Sequence, residues 1–144
     1  MGTRRKSREL ALQVLYQGEM TGQDNILDFE DFCAHFQVFK KSIPYASNLL
    51  AGIREKGGLI DQMIRKHAQN WRLERMSAID RNILRIAVYE MSYQEDVPNS
   101  VAINEAVEIA KRFSTDDSGP FINGILDAMS RDELAGPEIE KKKN

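Results

Sequence analysis

The spacing of apolar residues constrains this chain most: along nearly its whole length it repeats at a helical period, and no segment alternates convincingly at two. In the first segment Leu10, Ala11, Val14, Leu15 and Gly18 share one face, as i, i+3, i+4 neighbours do on a helix. A second helix is predicted within Ile26–Phe39, through Ile26, Leu27, Phe29, Phe32 and Phe36. A third runs from about Tyr45 towards Ala68 on Ala46, Leu49, Leu50, Ile53, Leu59, Ile60, Met63 and Ile64, with Gly57-Gly58 marking either a kink or a break. Ile79, Ile83, Ile86 and Ala87 define a broad apolar face that ends near Val97-Pro98. Ala102, Ile103, Ala106, Ile109, Ala110 and Phe113 share one side of the next helix, opposite Asn104, Glu105, Glu108, Lys111 and Arg112. The last helix starts around Asp117-Ser118-Gly119-Pro120 and buries Phe121, Ile122, Ile125, Leu126 and Met129. Periodicity therefore predicts an all-α bundle of six or seven helices.

At 144 residues, with 42% hydrophobic and 29% charged residues, the chain is sized and composed as one soluble domain. We assign residues 1–134 to that domain, with a basic arm over 1–8, and 135–144 to a flexible charged tail. No apolar run approaches the roughly 18 residues of a membrane span. A single cysteine, Cys33, excludes an internal disulfide and points to a reducing, cytoplasmic setting. Cys33 and His35 are neighbours, but His67 is the only other histidine, so no metal site is expected. There is no glycine-rich phosphate loop or dinucleotide fingerprint, and the expectation is a non-enzyme without a cofactor.

The net charge of −2 conceals an asymmetry: Arg4, Arg5, Lys6 and Arg8 precede the first acid, Glu9. A localised anionic partner follows, with nucleic acid first among candidates. If the first helix extends through the arm, Arg5, Arg8, Leu12 and Tyr16 line one flank. Guanidinium groups suit phosphates and a ring suits an unstacked base, whether of RNA or of single-stranded DNA. Four phosphate contacts would give a salt slope of about −2.8. Glu90 falls on the apolar face of its helix, where an unpaired carboxylate would cost several kcal/mol, so it requires a cation or backbone donors. The opposite side of that helix presents Arg81, Arg85 and Ser92 around Val88, a pattern suited to a protein contact.

Several blocks, in order, resemble the NusB transcription antitermination family. Arg4-Arg5-Lys6-Ser7-Arg8-Glu9-Leu10-Ala11-Leu12-Gln13-Val14-Leu15-Tyr16 is similar to its opening helix, and Ile83-Leu84-Arg85-Ile86-Ala87-Val88-Tyr89-Glu90 to its central helix. Asp96-Val97-Pro98, Val101–Lys111 and Phe121-Ile122-Asn123-Gly124-Ile125-Leu126-Asp127 continue the match. The resemblance implies two packed helical halves and a monomer or homodimer. It also implies binding of single-stranded boxA RNA in nascent ribosomal transcripts, together with ribosomal protein NusE. Other Nus factors and RNA polymerase would then be engaged indirectly, making the polymerase resist termination. By position, Arg4, Arg5, Lys6, Arg8 and Tyr16 would line the RNA surface, bordered by Asp117 and Phe121. Asp80, Arg81, Arg85, Val88 and Tyr89 would lie towards NusE. Gly119-Pro120 departs from the polar or basic residues common in relatives and removes a backbone donor. The alternatives are a helical module like that fronting ribosomal RNA cytosine methyltransferases, whose chains continue where this one ends, and a structural helical adaptor.

Overall fold

The structure, a computed structural model, describes residues 2–26, 28–68 and 71–132. Among them are six α-helices: α1 (Thr3–Thr21), α2 (Phe29–His35), α3 (Ile43–His67), α4 (Ala78–Tyr93), α5 (Asn99–Phe113) and α6 (Ser118–Asp132). Short 3-10 turns at Lys40–Ser42 and Leu73–Arg75 lead into α3 and α4. The tail assigned to 135–144 lies outside the described residues, as does Leu27.

Local chemistry sets the helix ends. Gly22 closes α1 in the left-handed conformation at φ 76°, and its N–H donates to Gly18 O. Ser77 caps α4 by accepting from the Asp80 N–H at 3.1 Å. Pro44 stands in the first turn of α3, where its missing N–H has no cost. The basic arm is the start of α1 itself, as the flank argument required.

The core joins α1 and α3 to α4, α5 and α6, with α4 touching all four other long helices. That position explains its wide burial: Ile83, Leu84, Ile86, Ala87, Val88, Glu90 and Met91 are all buried, and past its first turn only a narrow stripe through Arg81, Arg85 and Tyr89 is partly exposed. Val88, expected to be exposed among arginines, has no exposed surface, and Ser92 is buried as well. A helical wheel assumes one wet side, and α4 has none to offer at that position.

Two further expectations change. The second helix is only Phe29–His35, because the chain turns extended at Phe36, whose ring stays stacked 4.5 Å from Phe32. The third does not break at Gly57-Gly58: α3 runs through 25 residues. Ile53, Ile60 and Ile64, buried on both sides of the pair, hold the helix where propensity alone would weaken it. Leu59, placed on the apolar face by its spacing, is instead exposed.

A Cβ at Gly57 or Gly58 would meet nothing within 4 Å. Alanine at each should therefore stabilise by about 0.5–1 kcal/mol, through lower backbone entropy of the unfolded chain. Urea unfolding of Gly57→Ala/Gly58→Ala should show a raised midpoint with unchanged slope. A lowered midpoint would mean that α3 depends on bending at these glycines.

Candidate nucleic-acid interface

The first turns of α1 divide into an inner and an outer set. Arg8 points inwards and is 4% exposed. Its Nε donates to both oxygens of Glu90, at 3.0 and 2.9 Å, and Nη1 approaches Glu105 at 3.5 Å. Tyr45 of α3 completes the cluster, its hydroxyl donating to Glu90 and its ring lying 5.8 Å below the Arg8 guanidinium. Burial first, and then the Glu90 carboxylate, push the Tyr45 phenol far above its ordinary value, so it remains a donor. Glu90 has the cationic partner that its place on the apolar face demanded. The same contact corrects the assignment of Arg8 to the RNA surface: a buried guanidinium tied to two carboxylates is not offered to a phosphate.

The outer set is Arg4, Arg5 and Lys6. Arg5 donates through Nε and Nη2 to the two oxygens of Glu105, each at 2.8 Å. Arg4 donates to Asp96 at 3.0 Å and lies 4.1 Å over the Tyr45 ring. Both carboxyls sit below their ordinary range, Glu105 held there chiefly by Arg5 and Asp96 chiefly by Arg4. Glu105, read from the sequence as part of a solvated face, is thus recruited by the arm. Lys6 is exposed, with its ammonium 5.6 Å from the Phe39 ring. These cations are partly neutralised but stand at the surface, where a phosphate can exchange with a carboxylate.

Beside Lys6 runs an open groove of about 440 Å³, lined by Leu12, Tyr16, Phe39, Ile79 and Phe113 among others. Tyr16, Phe39 and Phe113 are each more than a third exposed. Sequence spacing found Tyr16 but put Phe113 on the buried side of α5 and gave Phe39 no role. The available signal for Phe113 was its place as the final helical residue, past the packed turns. Asp117 is exposed just before α6, and Phe121 is half-buried in its first turn. Phe121 meets Trp71, which the sequence reading passed over, edge to face with centroids 5.7 Å apart.

The residues assigned to a partner-facing side do not form one exposed patch. Arg81 donates to Glu19 and to the carbonyls of Leu73 and Met76, while Arg85 donates to Asp61, Glu19 and Asn82. Burial alone would raise the Glu19 carboxyl, but hydrogen bonds from Arg81 and Asn82 and the two guanidinium charges bring it below its ordinary value. Both oxygens of Asp80 accept from serines, Ser114 at 2.6 Å and Ser118 at 2.9 Å, which ties α4 to the α5–α6 connection. Val88 is buried, and Tyr89 stays half-buried against Gly52, where an added Cβ would lie 2.2 Å from the ring. Among the described residues no group of three histidine, cysteine or acidic side chains is placed to hold a metal.

A single helical bundle with a cationic first turn beside an aromatic groove defines a class: a compact helical module whose exposed face has the chemistry of single-stranded nucleic-acid recognition. The model of the NusB family matches residues 5–131, and the chain belongs to that family. A transcription antitermination protein NusB from Desulfosudis oleivorans is 43% identical across 100% of this chain and 95% of its own. Among solved structures, T. maritima NusB superposes with a TM-score of 0.83 at 36% identity, covering 95% of this chain and 96% of that one. A structure of the antitermination factors NusB and NusE in complex with dsRNA matches with a TM-score of 0.79 at 25% identity, covering 91% and 98%.

The buried cluster predicts a particular pattern of stability. Removing one partner by Glu90→Leu or Arg8→Met should cost about 3–5 kcal/mol, because a buried charge is left uncompensated. Replacing both should recover much of that loss, since the apolar pair orphans no strong charge. Thermal melts of the two single variants and the double variant form the cycle. Additive losses would show that the two side chains act independently.

Proposed function

We propose that this chain is a non-enzymatic transcription antitermination factor that binds single-stranded, boxA-like RNA of nascent ribosomal transcripts together with NusE. It works in the cytoplasm, where the complex makes RNA polymerase resist termination. The observation that carries the RNA reading is that Lys6, from the same opening turns of α1 as Arg4 and Arg5, lines a groove together with exposed Tyr16, Phe39 and Phe113. Phosphates meet the cations and unstacked bases meet the rings, a combination suited to single strands. Family membership and the RNA-and-NusE complex of a structural relative support the partners. Asp117 and Phe121 border the RNA path. Asp80, Arg81, Arg85 and Tyr89 act on the NusE-facing side by fixing helices rather than as one contact patch. Residues 1–134 act as one unit.

The relative's dsRNA favours duplex RNA as a second reading. Labelled single-stranded and duplex RNAs, each titrated with and without NusE, separate the two. Preference for the single strand, strengthened by NusE, is expected. Equal affinity for duplex nucleic acid, unaffected by NusE, would overturn the proposal.

The burial of Arg8 lowers the expected salt dependence. Three outer cations should contribute a slope of log affinity against log salt of about −2.1, at about −0.7 each. Gln at Arg4, Arg5 and Lys6 together should flatten the slope by about that amount, with little effect on the melting temperature. Tyr16→Ala should cost about 1–3 kcal/mol of binding with the slope nearly unchanged. If the triple variant keeps the wild-type slope, these cations are not phosphate ligands.

A further inference from the structure

We propose that Trp71, paired with Phe121, is a second stacking platform for a nucleobase, beyond the groove at Tyr16. The proposal rests on the RNA reading above and extends the path of the strand. Trp71 is the only tryptophan of the chain, and it is 57% exposed. Its exposure is built in by its neighbours. Ala68 and Leu73 are buried on either side, and the Trp71 N–H donates to Ala68 O at 3.0 Å. The backbone is therefore anchored while the indole stands outside.

The ring is also held in orientation. It meets Phe121 at 78° between planes, an edge-to-face contact that leaves the indole largely exposed. Phe121 is placed in turn by Ser118, whose hydroxyl donates to Asp80 of α4. Continuity with the groove supplies the occupant. Phe113 lines the groove, and Ser114, the next residue, donates to the same Asp80, whose neighbour Ile79 also lines the groove. Asp80 thereby joins the groove-lining end of α5 to the start of α6, whose Phe121 meets Trp71. The stem of Lys111 lies over Gly119, two residues before Phe121, and exposed Arg72 follows Trp71 in the chain. Exposed rings at successive points of one surface suit a single strand, because every base has a π face.

Because the chain has one tryptophan, its emission reports this site alone. The full-length protein is titrated with a labelled single-stranded boxA-like RNA, without and with NusE, following RNA anisotropy and tryptophan emission (that of NusE itself subtracted). The emission should be quenched by RNA and should half-saturate at the same concentration as the anisotropy. Trp71→Leu, which keeps an apolar contact for Phe121, should weaken binding at least about fivefold, whereas Trp71→Tyr should stay within about twofold of the wild type. Binding seen by anisotropy with unmoved emission, or with Trp71→Leu at wild-type affinity, overturns the platform and leaves the cationic arm and groove as the RNA site. Quenching by NusE without RNA, and none by RNA, makes the ring a protein contact and equally overturns it. No RNA binding by the wild type in either condition removes the RNA reading and the platform together. A melt checks that Trp71→Leu is folded, and if it is not, the wild-type emission decides.

Discussion

The buried ion pair between Arg8 and Glu90 is the constraint around which the rest of the molecule is arranged. Glu90 lies on α4, the helix that every other long helix touches, and its carboxylate cannot be left alone there. Arg8 meets it from α1 and Tyr45 from α3, so one carboxylate gathers three helices. Glu105 brings in α5 through the far end of the same guanidinium. Such a cluster need not add net stability over an apolar filling, but losing one member leaves a buried charge without its partner. A helix that slid by one position would strand a charge in the core.

That arrangement also decides what the basic arm can do. Four cations crowd the first eight residues, but a helix distributes them around its axis, and one is turned inwards. The three left outside are each engaged, Arg5 by Glu105, Arg4 by Asp96 and Tyr45, and Lys6 over Phe39. These contacts hold extended side chains in place at little cost, since exposed ion pairs contribute only about 0–1 kcal/mol. An arriving phosphate would then meet cations already arranged, and it would exchange one anionic partner for another.

The aromatic residues divide labour differently. Core helices of this size bury their aliphatic side chains readily, while Tyr16, Phe39, Phe113 and Trp71 remain at the surface. They are held there by rigid neighbours: α1 and α5 for Tyr16 and Phe113, and anchored turns for Phe39 and Trp71. Asp80 links this surface to the core, because its two oxygens fix the connection between α5 and α6. A residue expected on the partner-facing side thus fixes the connection from which Phe121 projects.

The sequence by itself determined the helical class, the helix faces that are wet on one side, the basic opening turn and the need of Glu90 for a partner. Those follow from periodicity, charge order and the cost of burying a carboxylate, all local or nearly local quantities. Only the tertiary structure decided that Arg8 is that partner, 82 residues away in the chain, and so not an RNA ligand. It also decided that Val88 is buried, because four other helices pack against α4, and that Phe113, at the last turn of α5, is exposed. The glycine pair in α3 stays helical for the same reason: contacts from other helices outweigh a local preference of about 1 kcal/mol per glycine. A wheel assigns a face to each side chain, whereas the neighbours that cover that face, or leave it open, exist only once the helices have met.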